Sequence, residues 1–464
     1  MKRRMSEGVW MPSAAFVQWT TLMLVAMPAA AGPPSTAAAE ASEQVASGPA
    51  DAEALQAMSD RVAGEVATLR RLPLLRPVER RVEARAGLRL RLEQMTREEV
   101  APDLLEAADR LLHRLRLLRP EQRYEQVMLK LLGDEIAGFY DPRAKTFFIL
   151  SDMPESAQVG IMSHELHHAL QDQHFGIDRV RGYGDRVQDV GLATSALLEG
   201  DAVATMLMYP SGELSASPLL LDKLMSASMQ AAAAPAGLSE TIWQSLLFPY
   251  AGGLSFVTAV ADARGWEGVT ELYASPPQST EQVLHPERYL ERDEPTWLEH
   301  PSPLSGAERY AVDVMGEWMV RSLLGEWVGQ SVAPAALSRA AAGWDGDRLS
   351  AWRFAGSDRE MVTWLLVWDS EEEAASFASM GPLLATWWTG GAPVTSEGAH
   401  GSSVTAGGTC SAFRLERWGD LTALILDEGC GVAHEARAAE LSRAAEVMLC
   451  GAERLRYPAA PDGP

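Results

Sequence analysis

Two histidines four residues apart, His164 and His168, constrain the fold of this chain more than any other feature. At 3.6 residues per turn, this spacing places both imidazoles on one face of an α-helix, where they can take two corners of a zinc tetrahedron. Glu165 lies beside them and is placed to accept a proton from a zinc-bound water rather than to bind the metal itself. The sequence therefore predicts a helix that carries two metal ligands and a catalytic base.

The residues around this motif also favour a helix. Gly138–Leu150 contains two aromatic, β-prone runs on either side of an Asp-Pro turn, which predicts a hairpin. Asp152, Pro154 and Glu155 then give the capping pattern of a helix N-terminus. Within the helix, apolar residues recur on one face, which we expect to be buried: Met162, Leu166, Ala169 and Leu170.

A catalytic zinc site needs a third protein ligand, and two residues compete for that role. His174 lies six residues after His168. For His174 to bind the same ion, the chain must leave the helix at position 171, which needs a glycine, and Gln171 lacks that conformational freedom. If the helix continues, His174 turns away from the ligand face. Glu199 lies on a second predicted helix, at about residues 188–208, and we expect it to be the ligand, with His174 as the alternative.

Several segments of the chain together resemble a group of exported bacterial metallopeptidases of the gluzincin type. The resemblance covers about residues 60–300 and implies zinc held by His164, His168 and Glu199, with Glu165 as the catalytic base. The segments that carry it are Gly138–Leu150, His164–His174, Glu199–Ala202 and Ser279–Tyr289.

One position departs from the pattern of that family. Thermolysin-like gluzincins resemble this chain in the motif, but they have an aspartate four residues after the glutamate ligand, where it supports a histidine. This chain has Val203 at that position. Asp201 is a candidate for the same supporting role, but at two residues after Glu199 it is expected to point to a different face of the helix.

The proposed reaction also needs a donor to the oxyanion that forms on the substrate. The candidates are His285, Tyr250 and Tyr140, in that order. Of these three, only His285 is predicted to be a catalytic residue in addition to Glu165. Each also has a structural interpretation. His285 could order a loop before Pro286, Tyr250 could begin a helix, and Tyr140 could pack on the hairpin.

The N-terminus has the pattern of a secretory signal. Lys2, Arg3 and Arg4 precede an apolar stretch, and Ala29–Ala31 offer a small-residue cleavage site. This predicts a signal peptide over residues 1–31 and a secreted or periplasmic protein. The alternative is an uncleaved membrane anchor, for which the apolar core is short. We expect no stable membrane insertion after the signal is removed.

The patterns along the rest of the chain predict an α+β protein. Residues 32–50 are rich in Ala, Pro, Ser and Gly and are predicted to be a flexible linker. Residues 51–304 are predicted to form a mostly helical, zincin-like catalytic domain with a small sheet. Within it, residues 51–132 form a helical layer or, alternatively, a covering propeptide. Residues 305–464 are expected to form a smaller α+β domain with antiparallel strands.

More detailed predictions concern individual elements. A strand is expected over residues 74–84, and residues 274–304 are expected to be irregular. Helices are expected over residues 250–264, 307–328, 371–384 and 434–450, and strands over residues 348–354 and 361–368. Trp364, Trp368, Trp387 and Trp388 are interpreted as core residues.

Three cysteines lie near the C-terminus. Cys410 and Cys430 are symmetric about Gly419 and Asp420, where a hairpin is predicted. A hairpin would place their sulfurs opposite each other, so we expect one disulfide. Cys450 is left over and is expected to be buried on a helix.

Composition limits the classes of function. The formal net charge of −23 argues against nucleic acid as a partner, because a phosphate backbone needs a basic surface. The favoured function is a secreted zinc metallopeptidase that acts on a protein or peptide substrate. The alternatives are an exported zinc-binding protein without peptidase activity that acts as a binding module, and a zinc hydrolase of non-peptide amide bonds.

Overall fold

A computed structural model of the chain describes most of its length beyond the N-terminus. The described residues are 49–135, 138–150, 155–184, 187–209, 211–214, 219, 223, 226, 237–397, 401–430 and 433–457. The predicted signal peptide, residues 32–48 of the predicted linker, and the predicted cap positions Asp152 and Pro154 lie outside the described residues. Residues 49 and 50 were expected in the linker and instead begin the first helix.

The N-terminal part of the described chain is a helical layer with a small sheet. Its helices are α1 (Pro49–Arg70), α2 (Arg85–Glu99), α3 (Pro102–Arg114) and α4 (Tyr124–Glu135). Its strands are β1 (Glu79–Glu83), β2 (Gly138–Asp141) and β3 (Thr146–Leu150), in the order β1-β3-β2. Strands β2 and β3 form the predicted antiparallel hairpin, and β1 pairs with β3 in parallel. The predicted strand at residues 74–84 is therefore confirmed, although it is shorter.

The middle of the chain is helical. The elements are α5 (Glu155–Phe175), α6 (Ile177–Gly184), α7 (Gln188–Met208), α8 (Glu240–Glu271), α9 (Thr280–Leu284) and α10 (Pro286–Glu291). The bounds of α7 agree with the prediction. Helix α8 begins ten residues earlier than predicted and is interrupted at Gly265, which has a φ of 71°. The prediction that residues 274–304 are irregular is wrong in part, because they contain α9, α10 and the strand β4 (Thr296–Glu299).

Helices α7 and α8 pack with their backbones in contact. A Cβ atom on Gly200 would lie 2.2 Å from the carbonyl carbon of Gly253, and a Cβ atom on Gly253 would lie 2.1 Å from the carbonyl oxygen of Ala196. Only glycine allows this approach, because any side chain would collide with the opposite backbone. The close packing holds α8 beside the segment of α7 that contains Glu199.

The C-terminal part is built on a seven-stranded antiparallel sheet, so the predicted α+β class is confirmed. The strand order is β5-β6-β7-β11-β10-β9-β8. Its strands are β5 (Ala307–Asp313), β6 (Trp344–Phe354), β7 (Glu360–Trp368), β8 (Val394–Glu397), β9 (Ser402–Gly407), β10 (Ser411–Trp418) and β11 (Leu421–Glu428). The helices are α11 (Gly316–Val328), α12 (Pro334–Ala341), α13 (Glu371–Ala378), α14 (Gly381–Thr389) and α15 (His434–Cys450). A last strand, β12 (Glu453–Arg456), pairs with β4.

Two helix predictions in this part are wrong in detail. A single helix is predicted over residues 307–328, but they form the edge strand β5 followed by α11. Gly316 separates the two with a φ of 79°, which a continuous helix does not allow. Residues 371–384 are likewise divided between α13 and α14, and Pro382 lies in the first turn of α14, where proline is well tolerated.

The cysteine prediction is confirmed for one pair and wrong for the third residue. Cys410 and Cys430 form a disulfide with a Cα–Cα distance of 4.5 Å, at the open end of the β10–β11 hairpin. Cys450 is exposed at the end of α15 rather than buried. The predicted core tryptophans Trp364, Trp368 and Trp388 are buried, whereas Trp387 is half-buried.

One hydrophobic core runs through both parts of the chain. It extends from Val62 in α1 to Tyr457 and includes residues of α5, α7 and α8 together with one face of the large sheet. A second, smaller cluster lies between the other face of that sheet and α15. The division at residue 305 stays a prediction, since the two parts share a core.

Helices α7 and α8 are long and apolar enough to cross a membrane by length and composition alone. The most apolar stretch of α7 is 94% buried within the protein, and that of α8 is 56% buried. A core helix of a soluble protein has the same composition, so this finding is weak evidence for a membrane span.

Candidate metal centre

Four predicted residues converge between α5 and α7. Helix α5 supplies His164, Glu165 and His168, and α7 supplies Glu199. The relative exposure of each is 1% or less. One ligand atom from each of His164, His168 and Glu199 lies within 4.8 Å of the others, and this group could hold a metal ion.

The distances within this group fit a tetrahedral site. Nε2 of His164 lies 3.1 Å from Nε2 of His168 and 3.1 Å from Oε2 of Glu199, and the third side of the triangle is 3.4 Å. Ligand atoms at about 2.0–2.1 Å from zinc lie about 3.3 Å from one another in a tetrahedron. Two imidazoles and one carboxylate with a further position for water are a typical donor set of catalytic zinc.

The buried polar atoms of the group also favour a metal ion. Two facing Nε2 atoms at 3.1 Å cannot both carry protons without conflict. Among the described residues, Oε1 of Glu199 and Nδ1 of His164 are buried without a hydrogen-bond partner. Unsatisfied buried polar atoms are uncommon in folded proteins, and a site that binds an ion is one place where they occur.

Gln171 fixes the orientation of His168. Its Nε2 donates to the carbonyl oxygen of Leu198 at 2.9 Å and to the hydroxyl of Tyr273 at 2.7 Å. A carbonyl oxygen can only accept, so the amide oxygen of Gln171 must face Nδ1 of His168, 2.7 Å away. His168 therefore donates from Nδ1 and keeps the lone pair of Nε2 directed at the cluster, as a metal ligand requires.

Asp201 supports this arrangement from α7. It accepts a forked pair of hydrogen bonds from Arg70, with distances of 2.9 and 3.0 Å, and a third at 2.8 Å from the hydroxyl of Tyr273. Its Oδ2 also lies 3.0 Å from Nε2 of His167. As expected, Asp201 lies on a different face from Glu199 and contacts His167 rather than the ligand pair. Sequence reasoning missed the roles of Gln171, Tyr273 and Arg70.

The β2–β3 hairpin directly contacts Glu165, the predicted catalytic base. The backbone N–H of Tyr140 donates to Oε2 of Glu165 at 2.8 Å. The hydroxyl of Tyr140 donates instead to Asp172, which Lys145 also contacts, so the hairpin is tied to α5. Tyr140 therefore orients the base through its backbone, and its hydroxyl is engaged outside the cluster.

The other predicted site residues are placed differently. Nε2 of His285 lies 2.9 Å from Glu317, and its described partners do not belong to the cluster. Nε2 of His174 contacts the carbonyl oxygen of Pro73 at 2.8 Å, because α5 continues through Gln171 as expected. The ring of Tyr250 stacks on His164, with ring centroids 6.2 Å apart. Of the three candidate oxyanion donors, Tyr250 therefore has its ring at the ligands and His285 does not.

Burial dominates the electrostatics of the cluster. Loss of solvation lowers the pKa of His164 to about 4 and raises the pKa of Glu165 to about 8. Burial also opposes ionisation of Glu199, but His168 and His164 outweigh it and hold the pKa of Glu199 at about 2. Against the same cost of burial, Glu199 and Glu165 raise the pKa of His168 to about 8. Without a metal ion, Nε2 of His168 therefore also binds a proton, which balances the charge of Glu199 and which a divalent cation would have to displace.

Comparison with known protein families gives a match in the C-terminal part of the chain. Residues 304–436 match DUF8575, a domain of unknown function, and this match contains none of the candidate ligands. No curated protein matches the chain in sequence. A solved structure from Chloroflexus aurantiacus, provisionally described as a hydrolase with a novel fold, is 16% identical. It covers 60% of this chain and 96% of its own, with a TM-score of 0.34, which is too low to establish a shared fold.

Proposed function

We propose that this protein is an exported, zinc-dependent hydrolase that cleaves peptide bonds. The observation that carries the proposal is the triangle of Nε2, Nε2 and Oε2 atoms from His164, His168 and Glu199. The buried carboxylate of Glu165 lies close enough to interact electrostatically with His168 and Glu199. A purely structural zinc site has four protein ligands and no use for a neighbouring base. Three ligands beside a glutamate are typical of a hydrolytic centre of the gluzincin type, which the motif resembles.

The residues of the chain take distinct roles in this proposal. His164, His168 and Glu199 would hold the ion, with His168 oriented by Gln171. When bound, zinc acts as a Lewis acid that polarises the scissile carbonyl and makes a water molecule more acidic. Glu165 would take the proton from the attacking water and return it to the leaving amine. The N–H of Tyr140 holds one carboxylate oxygen of Glu165 in place for both transfers.

The export part of the proposal comes from the sequence. A basic start, an uncharged apolar stretch and the small residues Ala29–Ala31 together favour cleavage after residue 31. The disulfide between Cys410 and Cys430 is consistent with an oxidising compartment outside the cytoplasm. The proposed location is therefore secreted or periplasmic, with a protein or peptide as the substrate.

One observation favours a second candidate, a zinc-binding protein without peptidase activity. All four residues of the cluster are at most 1% exposed, so a peptide reaches them only if the surrounding structure moves. A protein that keeps zinc for structural reasons, and binds a partner elsewhere, has no need of such access. The two candidates share the metal ligands and differ in whether substrate is hydrolysed.

The test uses the purified chain from residue 32 onwards, with casein as substrate. We expect zinc to bind with a stoichiometry of one, casein to be cleaved, and cleavage to stop on chelation and return with added zinc. Glu165→Gln should retain zinc and lose at least about 100-fold in activity, since general-base catalysis contributes about 10²–10⁴-fold. Glu199→Ala should lose the metal. A matched control is Glu281→Gln, which changes another buried glutamate.

The possible outcomes separate the candidates. Zinc binding without any cleavage, in a folded chain, would favour the non-peptidase protein. Cleavage of amide-linked non-peptide substrates but not of casein would favour a hydrolase of other amide bonds. Activity that survives chelation, or that survives Glu165→Gln, would rule out the proposed chemistry.

A further inference from the structure

A chain of hydrogen bonds leads from the metal cluster to the N-terminal helix. It runs from Nδ1 of His168 to Gln171, then to the hydroxyl of Tyr273, the carboxylate of Asp201 and the guanidinium of Arg70, with distances of 2.7–3.0 Å. Its members come from α5, from the residues that follow α8, from α7 and from α1. One series of hydrogen bonds therefore connects four separate segments of the chain.

The direction of each bond in this path is determined by chemistry. Arg70 can only donate, so both oxygens of Asp201 accept from it. A carboxylate cannot donate, so Tyr273 donates its hydroxyl proton to Asp201 and accepts from Gln171. The amide of Gln171 is then fixed with its oxygen toward His168. A single arrangement satisfies every member, and in it Nδ1 of His168 is the donor.

The far end of the path is a buried ion pair. Arg70 is 2% exposed and Asp201 is fully buried, and the guanidinium of Arg70 lies 4.5 Å above the ring of Trp266. A buried ion pair is weak evidence for stability, because removing two charges from water costs about as much as their attraction returns. Its position gives it a different use, because a charged carboxylate holds the hydroxyl of Tyr273 in one rotamer.

We infer that Gln171, Tyr273, Asp201 and Arg70 are positioning residues for His168. This inference rests on the proposed function, since it assumes that His168 is a metal ligand. The path selects the Nδ1–H tautomer of His168 and fixes the plane of its ring. Nε2 can then bind the ion without any rearrangement of the histidine. Outer partners of metal-binding histidines typically contribute about 10–100-fold to metal affinity.

A consequence concerns the N-terminal helical layer. Arg70 is the last residue of α1, and its removal would leave Asp201 buried without the guanidinium that balances its charge. The remaining contacts of Asp201 are with Tyr273 and with His167, whose pKa is lowered by burial. Residues 51–132 therefore act as a permanent layer of the metal centre and not as a propeptide that is removed on activation. The parallel pairing of β1 with β3 ties the same layer to the hairpin that contacts Glu165.

The main experiment measures metal affinity rather than activity. The probes are Zn²⁺, in competition with a chromophoric chelator, and Co²⁺, whose visible absorption reports the geometry of its ligands. Gln171→Met removes the acceptor for His168 at similar side-chain volume, and Tyr273→Phe removes one hydroxyl. Tyr124→Phe is the matched control, since Tyr124 is equally buried and lies outside the path. Circular dichroism and thermal unfolding check that each variant is folded.

We expect zinc affinity to fall about 10–100-fold in Gln171→Met and several-fold in Tyr273→Phe, with a changed Co²⁺ spectrum in both. Tyr124→Phe should match the unmodified chain in affinity and spectrum. Unchanged affinity and spectrum in both path variants would overturn the positioning role and leave the proposed function intact. Failure of the unmodified chain to bind zinc at all would overturn both. If Gln171→Met does not fold, Tyr273→Phe decides the question alone.

The N-terminus of the active form tests the consequence for the helical layer. Mass spectrometry of the zinc-loaded, active chain should find an N-terminus before residue 49, with α1 retained. An active, zinc-binding form that begins after residue 70, and therefore lacks Arg70, would overturn this assignment.

Discussion

Two groups of buried carboxylates in this protein are neutralised in opposite ways. In the metal region, Glu199 faces two histidines and Asp201 is paired with Arg70. In a second region, where the start of α7 meets β5, β6 and α11, three aspartates lie close together. These are Asp189, Asp313 and Asp347, and every hydrogen-bond donor described for them is a neutral backbone N–H, hydroxyl or indole group.

The pKa values follow this difference. Burial opposes ionisation in both regions. At Asp201, Arg70 and His167 outweigh burial and hold the pKa well below its usual value. At Asp189, burial dominates, the donors from Thr280 only partly offset it, and the pKa rises to about 8. Burial likewise raises the pKa of Asp347 to about 6. In the metal region, cationic or histidine partners thus favour the ionised forms of Glu199 and Asp201. In the second region, burial favours the protonated forms of Asp189 and Asp347.

We call the second region the α7 junction (Asp189, Asp313, Gly316 and Asp347). It connects α7, the helix that contains Glu199, to the large sheet. Val187 at the N-cap of α7 has no side-chain oxygen, and Asp313 from β5 accepts from the N–H of Gln188 instead. The N–H of Asp189 donates to the carbonyl oxygen of Val314. One end of α7 is therefore capped by the C-terminal part of the chain, and its middle supplies Glu199.

The largest expected effect comes from removing the cation of the metal region. Arg70→Ala leaves Asp201 buried without its guanidinium partner, with only Tyr273 and His167 among its described contacts, and we expect the free energy of unfolding to fall by about 3–5 kcal/mol. Urea denaturation at neutral pH measures this loss. Adding Asp201→Asn to the same chain should restore part of the stability, because the uncompensated charge is then gone. A loss below about 1 kcal/mol would mean that Asp201 does not depend on Arg70, and the contrast between the regions would fail.

The next effect tests how tightly the α7 junction is packed. Gly316 has a φ of 79°, and a Cβ atom there would lie 1.7 Å from Oδ1 of Asp189. Gly316→Ala should therefore cost about 2–4 kcal/mol, the sum of left-handed backbone strain and displacement of Asp189. Gly356→Ala is the matched control. Gly356 has a φ of 73° with no atom within 4 Å of its Cβ position, so it should lose only the backbone part, about 1–2 kcal/mol. Equal losses in the two variants would show that contact with Asp189 does not constrain the junction.

The two regions also differ in how much of them could be predicted from sequence. His164, Glu165 and His168 lie within one helical turn or so, and local periodicity was enough to predict their helix and their shared face. Glu199 was predicted because α7 has a clear apolar pattern and the motif resembles a known family. Their convergence in one buried group requires both helices, which the sequence predicts, and for α7 the predicted bounds agree with the structure.

Long-range partners could not be predicted in this way. Gln171 contacts Tyr273 across 102 positions, and Arg70 contacts Asp201 across 131. No spacing rule encodes such pairs, so Gln171 was considered only as an obstacle to His174. The α7 junction could not be predicted for the same reason. The helix prediction for residues 307–328 is wrong at β5 because it treats Gly316, which separates β5 from α11, as part of one continuous helical pattern. His285 lies in the short segment Ser279–Tyr289, which gives no information about its partners. Its described contacts are with Glu317 and Glu287, outside the metal cluster.

The smallest expected effect concerns the pH dependence of the α7 junction. The pKa of Asp189 is raised from 3.8 to about 8 on folding, so the folded chain binds more protons there than the unfolded chain. The stability linked to this proton is fully present below about pH 4 and is lost as the pH rises towards 8.

In Asp189→Asn, this contribution is absent, while Oδ1 can still accept from Thr280. Between pH 5 and pH 7 we expect the unmodified chain to lose about 1–2 kcal/mol more stability than the variant. One full proton corresponds to about 1.4 kcal/mol per pH unit, and the expected loss over two units is smaller because neighbouring Asp347, with a pKa of about 6, titrates in the same range. Urea denaturation at several pH values measures the two slopes. Parallel slopes would mean that Asp189 is ionised in the folded chain, and that the α7 junction, like the metal region, stabilises a buried charge.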